Sequence, residues 1–89
     1  MNFGQAIEAM KAGKKVQREG WNGKGMWLIL VPGSPSITPN PGTPYSNAGL
    51  VKPTNINAHI DMYTAQGDMQ PGWLASQPDM LADDWQEVD

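Results

Sequence analysis

The feature that most limits the possible folds is a short strand with two apolar faces. Residues 26–31 read MWLILV. Alternate side chains of a strand point to opposite faces, which here carry Met26, Leu28 and Leu30 on one side and Trp27, Ile29 and Val31 on the other. A sheet with one solvated face alternates apolar and polar residues instead. Because 89 residues suffice for one small domain, we expect a helix on one face and a subunit interface on the other.

The covering helix is predicted at the N-terminus. Asn2 and Gln5 have the spacing of a capping box, in which each side chain satisfies a backbone N–H of the first turn. The apolar residues that follow recur at the spacing of one helical face, and are Phe3, Ala6, Ile7 and Met10. Gly13 is a natural stop. We therefore expect a helix from about Phe3 to Ala12.

Short strands and a second helix are predicted in the rest of the chain. The stretches that favour strands are residues 16–19, 26–31, 58–64 and 85–88. Residues 66–68 predict a turn. Ser76 and Asp79 form a second capping box, which starts a helix over about residues 77–83.

Residues 32–55 differ in composition from the rest of the chain. They hold six of the eight prolines and are rich in Gly, Ser, Thr and Asn. Long segments of this kind are usually functional loops or disordered. The sequence as a whole therefore predicts an α+β fold, in which an N-terminal helix packs on a small antiparallel sheet. A long Pro/Gly-rich loop, a short C-terminal helix and homo-oligomeric assembly complete the prediction.

The charges are distributed unevenly. The net charge is −3, but residues 1–24 carry five of the six cations, whereas residues 61–89 carry seven acidic residues and no cation. Long nucleic acid is a poor partner because proteins that bind it present a broad basic surface. A small anion bound by the basic third and attraction between the two ends, within or between subunits, both stay open. The longest apolar run has six residues, too few to span a membrane, and no signal peptide is visible. We expect a soluble intracellular protein.

Signatures of enzymes and cofactor sites are absent from the sequence. It has no cysteine, and its one histidine is His59, whereas metal sites usually need several such ligands. We interpret Asp83 and Asp84 as a solvated helix end and His59 as a packed or surface residue. The glycines at positions 20, 23 and 25 fit neither phosphate-binding motif. We therefore expect no catalytic residue, no metal and no cofactor.

The stretch REGWNGKGMWL, residues 18–28, is the best candidate for a binding site. Asn22-Gly23 predicts a type I′ hairpin turn. Glycine-rich backbone can present N–H groups to an anion, and Lys24 adds a positive charge. The four tryptophans are at positions 21, 27, 73 and 85, and an indole ring can stack on a nucleobase. We interpret Trp27 and Trp85 as core, whereas core packing and ligand stacking both stay open for Trp21 and Trp73.

Two segments of the chain resemble the phage-encoded Thoeris anti-defence proteins of the second type. The segments are MNFGQAIEAMKAGKKVQREGWNGKGMWLILVPGS and HIDMYTAQGDMQPGWLASQPDMLADDW, roughly residues 2–34 and 58–88. Their most specific elements are the GWNGKGM turn and the run WLASQPDMLADDW. Residues 35–56 match nothing that can be placed and look like a variable Pro-rich insertion in a single domain of residues 1–89.

The resemblance implies a protein that sequesters a cyclic nucleotide. Family members bind glycocyclic ADP-ribose, made by a bacterial TIR-domain immune protein, and hold it without cleaving it, so that the downstream effector is starved. Some relatives also take up cyclic trinucleotides. Members assemble as homo-oligomers, tetramers among them, with ligand pockets at subunit interfaces. The implied location is the cytoplasm of the infected bacterial host.

Carried onto this chain, the resemblance assigns ligand-binding roles to residues of the 18–28 stretch and to one residue of a predicted strand. Trp21 would stack on the ligand or form a wall of its pocket. Asn22, Gly23 and Lys24 would offer amide and charged donors to phosphate. Asp61 would accept hydrogen bonds from ribose hydroxyls or an adenine amine.

The opposite wall of the pocket would come from Trp73, Ser76 and Gln77 at the start of the last helix, where an N-terminus favours anions. For Ser76, a pure capping role is the stronger interpretation. Two other hypotheses compete with sequestration. One is a small phage accessory module that binds a protein partner through its tryptophans, and the other is an enzyme that hydrolyses the signal.

Overall fold

The computed structural model describes residues 1–21 and 24–89. The helices in these residues are α1 (Phe3–Lys11), α2 (Pro44–Asn47) and α3 (Gln77–Leu81). The strands are β1 (Lys15–Arg18), β2 (Trp27–Val31), β3 (Ser34–Ile37), β4 (Thr54–Ile56), β5 (His59–Tyr63), β6 (Met69–Gln70) and β7 (Trp85–Val88). A 3₁₀ turn, Glu19–Trp21, follows β1. The predicted α+β class, with an N-terminal helix, antiparallel strands and a short C-terminal helix, is confirmed.

Helix α1 begins where the sequence predicts. The N–H of Gln5 donates to Oδ1 of Asn2 at 2.8 Å, and the N–H of Asn2 donates to Oε1 of Gln5 at 2.9 Å. The helix ends at Lys11, and Gly13 then adopts a φ of +88°, the left-handed conformation that commonly ends helices. The predicted helix is confirmed, one residue shorter at its C-terminal end.

Five strands form one antiparallel sheet in the order β6-β5-β2-β1-β7. Strand β1 lies between β2 and β7, so the first and last strands of the chain are neighbours. Helix α1 covers one face, and the buried core between the two comprises Ala6, Ala9, Met10, Val16, Leu28 and Trp85. The core position predicted for Trp85 is confirmed, since it is 1% exposed.

The other face of the sheet, here called the open face, carries the second apolar side of β2. Its residues Trp27, Ile29 and Val31 are each partly exposed. The ring of Trp27 stacks on that of Tyr63, with centroids 4.8 Å apart and an interplanar angle of 9°. The ammonium of Lys15 lies 5.0 Å from the Trp27 ring centroid. The prediction that Trp27 is core is therefore wrong, whereas the subunit interface stays a prediction.

The connection from β1 to β2 is longer than a two-residue hairpin loop. Asn22 and Gly23, which predicted a type I′ turn, lie outside the described residues. Strand β1 ends at Arg18 and β2 begins at Trp27, so eight residues connect them. Glu19, predicted as the end of the strand, belongs to the 3₁₀ turn instead. This connection is here called the corner.

Strands β3 and β4 prolong the hairpin formed by β2 and β5. Val31 pairs with His59, and Ser34 pairs with Ile56, so both strands advance by three residues and the register is unchanged. Residues 34–56, here called the arm, therefore project beyond the sheet. The molecule measures 44 × 26 × 25 Å and has a radius of gyration of 15.7 Å, compared with about 12 Å expected for a compact chain of this length.

The prediction that residues 32–55 form a long loop is wrong, since the arm contains two strands and a short helix. Proline suggested a loop because it cannot donate to a central strand. In a two-stranded ribbon one edge of each strand is unpaired, so β3 tolerates Pro35. Pro44 lies in the first turn of α2, where an N–H has no helical partner.

The C-terminal elements follow the sequence prediction closely. The N–H of Asp79 donates to the hydroxyl of Ser76 at 3.2 Å, and the N–H of Ser76 donates to the Asp79 carboxylate at 3.4 Å. Helix α3 ends at Leu81, two residues before the predicted end, and β7 has the predicted bounds. In the described residues, no helix is long and apolar enough to span a membrane.

Candidate functional site

The corner is held by three charged side chains, here called the clamp: Arg18, Asp79 and Asp84. Nε of Arg18 donates to Oδ1 of Asp84, and Nη1 donates to Oδ1 of Asp79, both at 2.8 Å. The three side chains are 19%, 14% and 31% exposed, respectively. Because Arg18 ends β1, Asp79 lies in the first turn of α3 and Asp84 immediately precedes β7, the clamp connects parts of the chain that are distant in sequence.

The clamp also binds the 3₁₀ turn of the corner. The N–H of Gly20 donates to Oδ2 of Asp84 at 2.8 Å, and Nε1 of Trp21 donates to Oδ1 of Asp79 at 3.2 Å. A Cβ atom on residue 20 would lie 2.8 Å from Oδ2 of Asp84, so only glycine allows this approach without a shift. The two carboxylates therefore fix the backbone at Gly20 and the ring of Trp21.

The contacts within the clamp change the pKa values of its members. The hydrogen bond from Arg18, aided by that from Gly20, lowers the pKa of Asp84. Burial raises the pKa of Asp79, but hydrogen bonds from Arg18, Ser76 and Trp21 together outweigh burial and lower it. The hydrogen bonds to Asp84 and Asp79 raise the pKa of Arg18. All three groups are therefore charged at neutral pH, and the clamp carries one net negative charge.

Trp21 also belongs to an aromatic cluster. Its ring centroid lies 5.3 Å from that of Trp85 and 6.2 Å from that of Trp73, both in edge-to-face geometry. Phe3 packs against Trp73 and Trp85 from α1. Trp21 and Trp73 are only partly buried. Each therefore packs against the core and keeps some surface that a ligand can contact.

A cavity of about 210 Å³ opens beside the corner. It is lined by Gln17, Arg18, Glu19, Trp21, Lys24, Gly25, Met26 and Gln86. Trp21 supplies aromatic surface, Lys24 supplies a positive charge, and the amides of Gln17 and Gln86 can donate and accept hydrogen bonds. This combination suits a small ligand that has both an aromatic ring and an anionic group.

The structure brings several of the predicted site residues together. Trp21 and Lys24 line the same cavity, and Trp73 contacts Trp21. The predicted capping role of Ser76 is confirmed, and Gln77 is exposed at the first position of α3. Asn22 and Gly23, predicted to donate to phosphate, lie outside the described residues.

Asp61 lies apart from this group. It pairs with Ile29 in the middle of the sheet, and the register places its side chain on the open face. It is 7% exposed; its Oδ1 accepts the N–H of Gly72 at 3.1 Å and lies 2.6 Å from Nδ1 of His59. His59 is thus an ordered partner of a buried carboxylate. No group of three or more potential metal ligands occurs in residues 1–21 and 24–89.

A second cavity, of about 220 Å³, lies in the arm. It is lined by Ile37, Thr38, Pro39, Asn40, Thr43, Tyr45, Leu50, Thr54 and Ile56. Lys52 is the one charged residue of the arm sequence, and it is not among the residues that line this cavity. The arm cavity therefore lacks the charge that would attract an anionic ligand, and the corner is the better candidate site.

Sequence reasoning missed the clamp. The interpretation of Asp84 as part of a solvated helix end is wrong, because both its carboxylate oxygens are hydrogen-bonded. Asp79 was identified only as a helix cap, and Arg18 was not assigned a role. The sequence signal for the clamp was the separation of basic and acidic residues between the two ends of the chain. That signal fits ion pairs within one subunit and ion pairs between subunits equally well.

Comparisons with known proteins agree with the resemblance seen in the sequence. The model of the Thoeris anti-defense 2-like domain family matches residues 1–88. The chain is 38% identical over 88 residues to a protein of Bacillus phage SP01 named Thoeris anti-defense 2, and the match covers 99% of this chain and 94% of that protein. The match includes the arm, the corner and the clamp.

Proposed function

The chain belongs to the Thoeris anti-defense 2-like domain family, and from this membership we propose that it is a phage inhibitor of Thoeris defence. In this proposal it binds a cyclic nucleotide signal of the glycocyclic ADP-ribose class and holds it without cleaving it. The observation that carries the proposal is the corner cavity, which combines Trp21 with Lys24. An indole can stack on the base of a nucleotide, and an ammonium attracts its phosphate.

The size of the corner cavity favours a site completed by a second subunit. Pockets for small organic ligands have volumes of about 300–1,000 Å³, and the corner cavity of one protomer has about 210 Å³. A cyclic dinucleotide-sized ligand therefore needs additional walls. A neighbouring protomer would supply them, and we propose a homo-oligomer, a tetramer, with ligand held between subunits.

Retention without cleavage is consistent with the position of the single imidazole. His59 pairs with Val31, the last residue of β2, whereas the corner lies next to Trp27 at the other end of that strand. Over four residues a strand advances about 13 Å. His59 of the same protomer is therefore too far from the corner cavity to act as a general base there.

The proposal is tested by recovering the bound molecule. The protein is incubated with glycocyclic ADP-ribose, washed, denatured by heat, and the released material is identified by mass spectrometry. Recovery of the intact nucleotide in stoichiometric amount is the expected result. Recovery of hydrolysis products would show an enzyme, and recovery of nothing would show that this nucleotide is not the ligand.

A second candidate function is a protein–protein interaction module. It is favoured by two exposed apolar side chains near α3, since Leu74 is 89% exposed and Leu81 is 77% exposed. In that case the heat-released fraction would contain no nucleotide. Leu74→Ser and Leu81→Ser would then abolish inhibition of Thoeris defence, whereas sequestration predicts that these changes leave it intact.

A further inference from the structure

We infer that the clamp is a positioning device for the ligand. Arg18, Asp79 and Asp84 hold Gly20 and Trp21 in their binding conformation before the ligand arrives. This inference rests on the proposed function, because it concerns how the same corner binds its ligand. It adds three residues to which neither the family resemblance nor the sequence assigned a role in binding.

The hydrogen bonds of the clamp engage all four oxygens of its two carboxylates. Asp84 uses Oδ1 for Arg18 and Oδ2 for Gly20. Arg18 directs its donors at two carboxylates on two sides of its guanidinium. Although Arg18 lines the corner cavity, its charge is therefore already matched by two acids. Among the described residues that line the cavity, Lys24 is the cation that is not held in this way.

The electrostatic effect of the clamp on an anionic ligand is unfavourable. One cation and two carboxylates leave one net negative charge beside the cavity. Removing a carboxylate should strengthen the binding of an anion if charge alone decided the affinity. If the clamp acts through geometry, removing a carboxylate should weaken the binding of the anion instead.

The clamp can increase affinity because it orders part of the corner before the ligand binds. The corner consists of eight residues between two strands, and a loop that must be ordered by its ligand loses part of the binding free energy. The clamp fixes the backbone at Gly20 and the ring plane of Trp21 through hydrogen bonds to charged groups. Such bonds are stronger than neutral ones, so they can hold the corner in the free protein.

The first experiment compares Asp84→Asn with Asp83→Asn. Both changes remove one negative charge from adjacent positions, but Asp83 is exposed and is no part of the clamp. Asparagine has one acceptor oxygen, so residue 84 can no longer serve both Arg18 and Gly20. Calorimetric titration with glycocyclic ADP-ribose should give roughly tenfold weaker binding for Asp84→Asn, the effect of one lost hydrogen bond to a charged group. Asp83→Asn should bind as tightly as the parent or slightly more tightly.

The second experiment changes geometry without changing charge. Arg18→Lys keeps the cation but cannot bridge two carboxylates with a planar fork, so it should also weaken binding. In a Trp21→Phe background, which lacks the indole N–H that Asp79 accepts, Arg18→Lys should cost less than it does in the parent. A purely structural role would lower the affinity by the same factor in both backgrounds. Thermal melts of every variant identify the temperature below which all are folded, and titrations are made there.

The outcomes separate this inference from the proposed function. Absence of binding by the parent protein would overturn both. Binding by the parent with equal or tighter binding by Asp84→Asn would overturn the inference alone, since charge would then outweigh geometry. Equal losses for Asp84→Asn and Asp83→Asn would overturn it as well.

Discussion

At the residue scale, two cations at the corner cavity have different environments. Arg18 is bonded to Asp79 and Asp84 at 2.8 Å, whereas Lys24 is exposed. In the proposed function Lys24 is thus the residue that attracts phosphate, and Arg18 is a positioning residue. Both positions are basic in the sequence, and only their partners in the folded protein separate the two roles.

Lys24→Ala should weaken the binding of glycocyclic ADP-ribose by about two- to fivefold, the range typical of an exposed ion pair. The loss should shrink at high salt, because ions screen exposed charges. Titrations at low and high salt measure both effects. Lys52→Ala in the arm is the matched control, and an equal loss in that variant would mean that overall charge, not the corner, attracts the ligand.

The clamp should make folding stability depend on pH in acid. The folded-state pKa values of Asp79 and Asp84 lie below their ordinary value of 3.8. The stabilisation is therefore complete above about pH 4 and is lost as the pH falls through the lowered pKa values. Urea unfolding at pH 7 and pH 3 should show a smaller loss of stability for Asp84→Asn than for the parent protein. Asp83→Asn should lose as much as the parent, and a parent-like loss in Asp84→Asn would contradict the prediction.

At the scale of elements, the arm is the most independent part of the molecule. It continues the register of the β2–β5 hairpin at Ser34 and Ile56, shifts register before Ile37, and extends beyond the sheet. Its base is narrow, since a Cβ atom on Gly33 would lie 2.5 Å from the carbonyl oxygen of Ile56. The buried core of the domain contains no residue from 34–56. The sheet and α1 therefore need the base of the arm but not its outer part.

Replacing residues 36–54 with Asn-Gly should leave the domain folded. The two-residue turn closes a hairpin in which Ser34 still pairs with Ile56. Circular dichroism should show a melting temperature within about 5 °C of the parent, which corresponds to roughly 1 kcal/mol for a domain of this size. Gly33→Val is the contrasting variant, because its side chain would collide with the backbone of Ile56 at the base of the arm. It should lower the melting temperature by more than removal of the outer arm does. Loss of the cooperative melt on arm removal would show that the arm stabilises the domain.

At the scale of the whole molecule, the open face leaves apolar surface uncovered. Trp27, Ile29 and Val31 lie on it with Tyr63, and all four are partly exposed. An exposed group of apolar side chains bordered by polar residues, here His59 and Asp61, is typical of interfaces. Together with the small corner cavity, it supports assembly of several copies as the functional form.

Ile29→Asp should convert the proposed oligomer to a monomer, because it places a charge at the centre of the open face. Multi-angle light scattering should give a mass of 9.7 kDa for this variant and a multiple of that mass for the parent protein. Leu81→Asp introduces the same charge at a side chain that is 77% exposed near α3, and it should leave the oligomer intact. A monomeric parent at micromolar concentration would rule out the interface.

The sequence by itself determined the elements whose signals are local. The capping boxes at Asn2 and Ser76 place the starts of α1 and α3, because each depends on side chains three residues apart. The two apolar faces of β2 and the bounds of β7 were equally readable. At the candidate site, the stretch around Trp21 and Lys24 indicated a binding site by itself, because aromatic and basic residues beside glycines are unusual in so short a segment.

The tertiary structure alone decided which of these residues meet. Arg18 contacts carboxylates 61 and 66 positions away, and no local pattern encodes a contact at that separation. The burial of Asp61 by His59 and Gly72, and the exposure of Trp27 on the open face, depend on the order of strands in the sheet. The arm was misjudged for the same reason. Proline is unfavourable in a central strand. Because β3 pairs with β4 and with no other strand of the described residues, one edge of β3 is unpaired and can hold a proline.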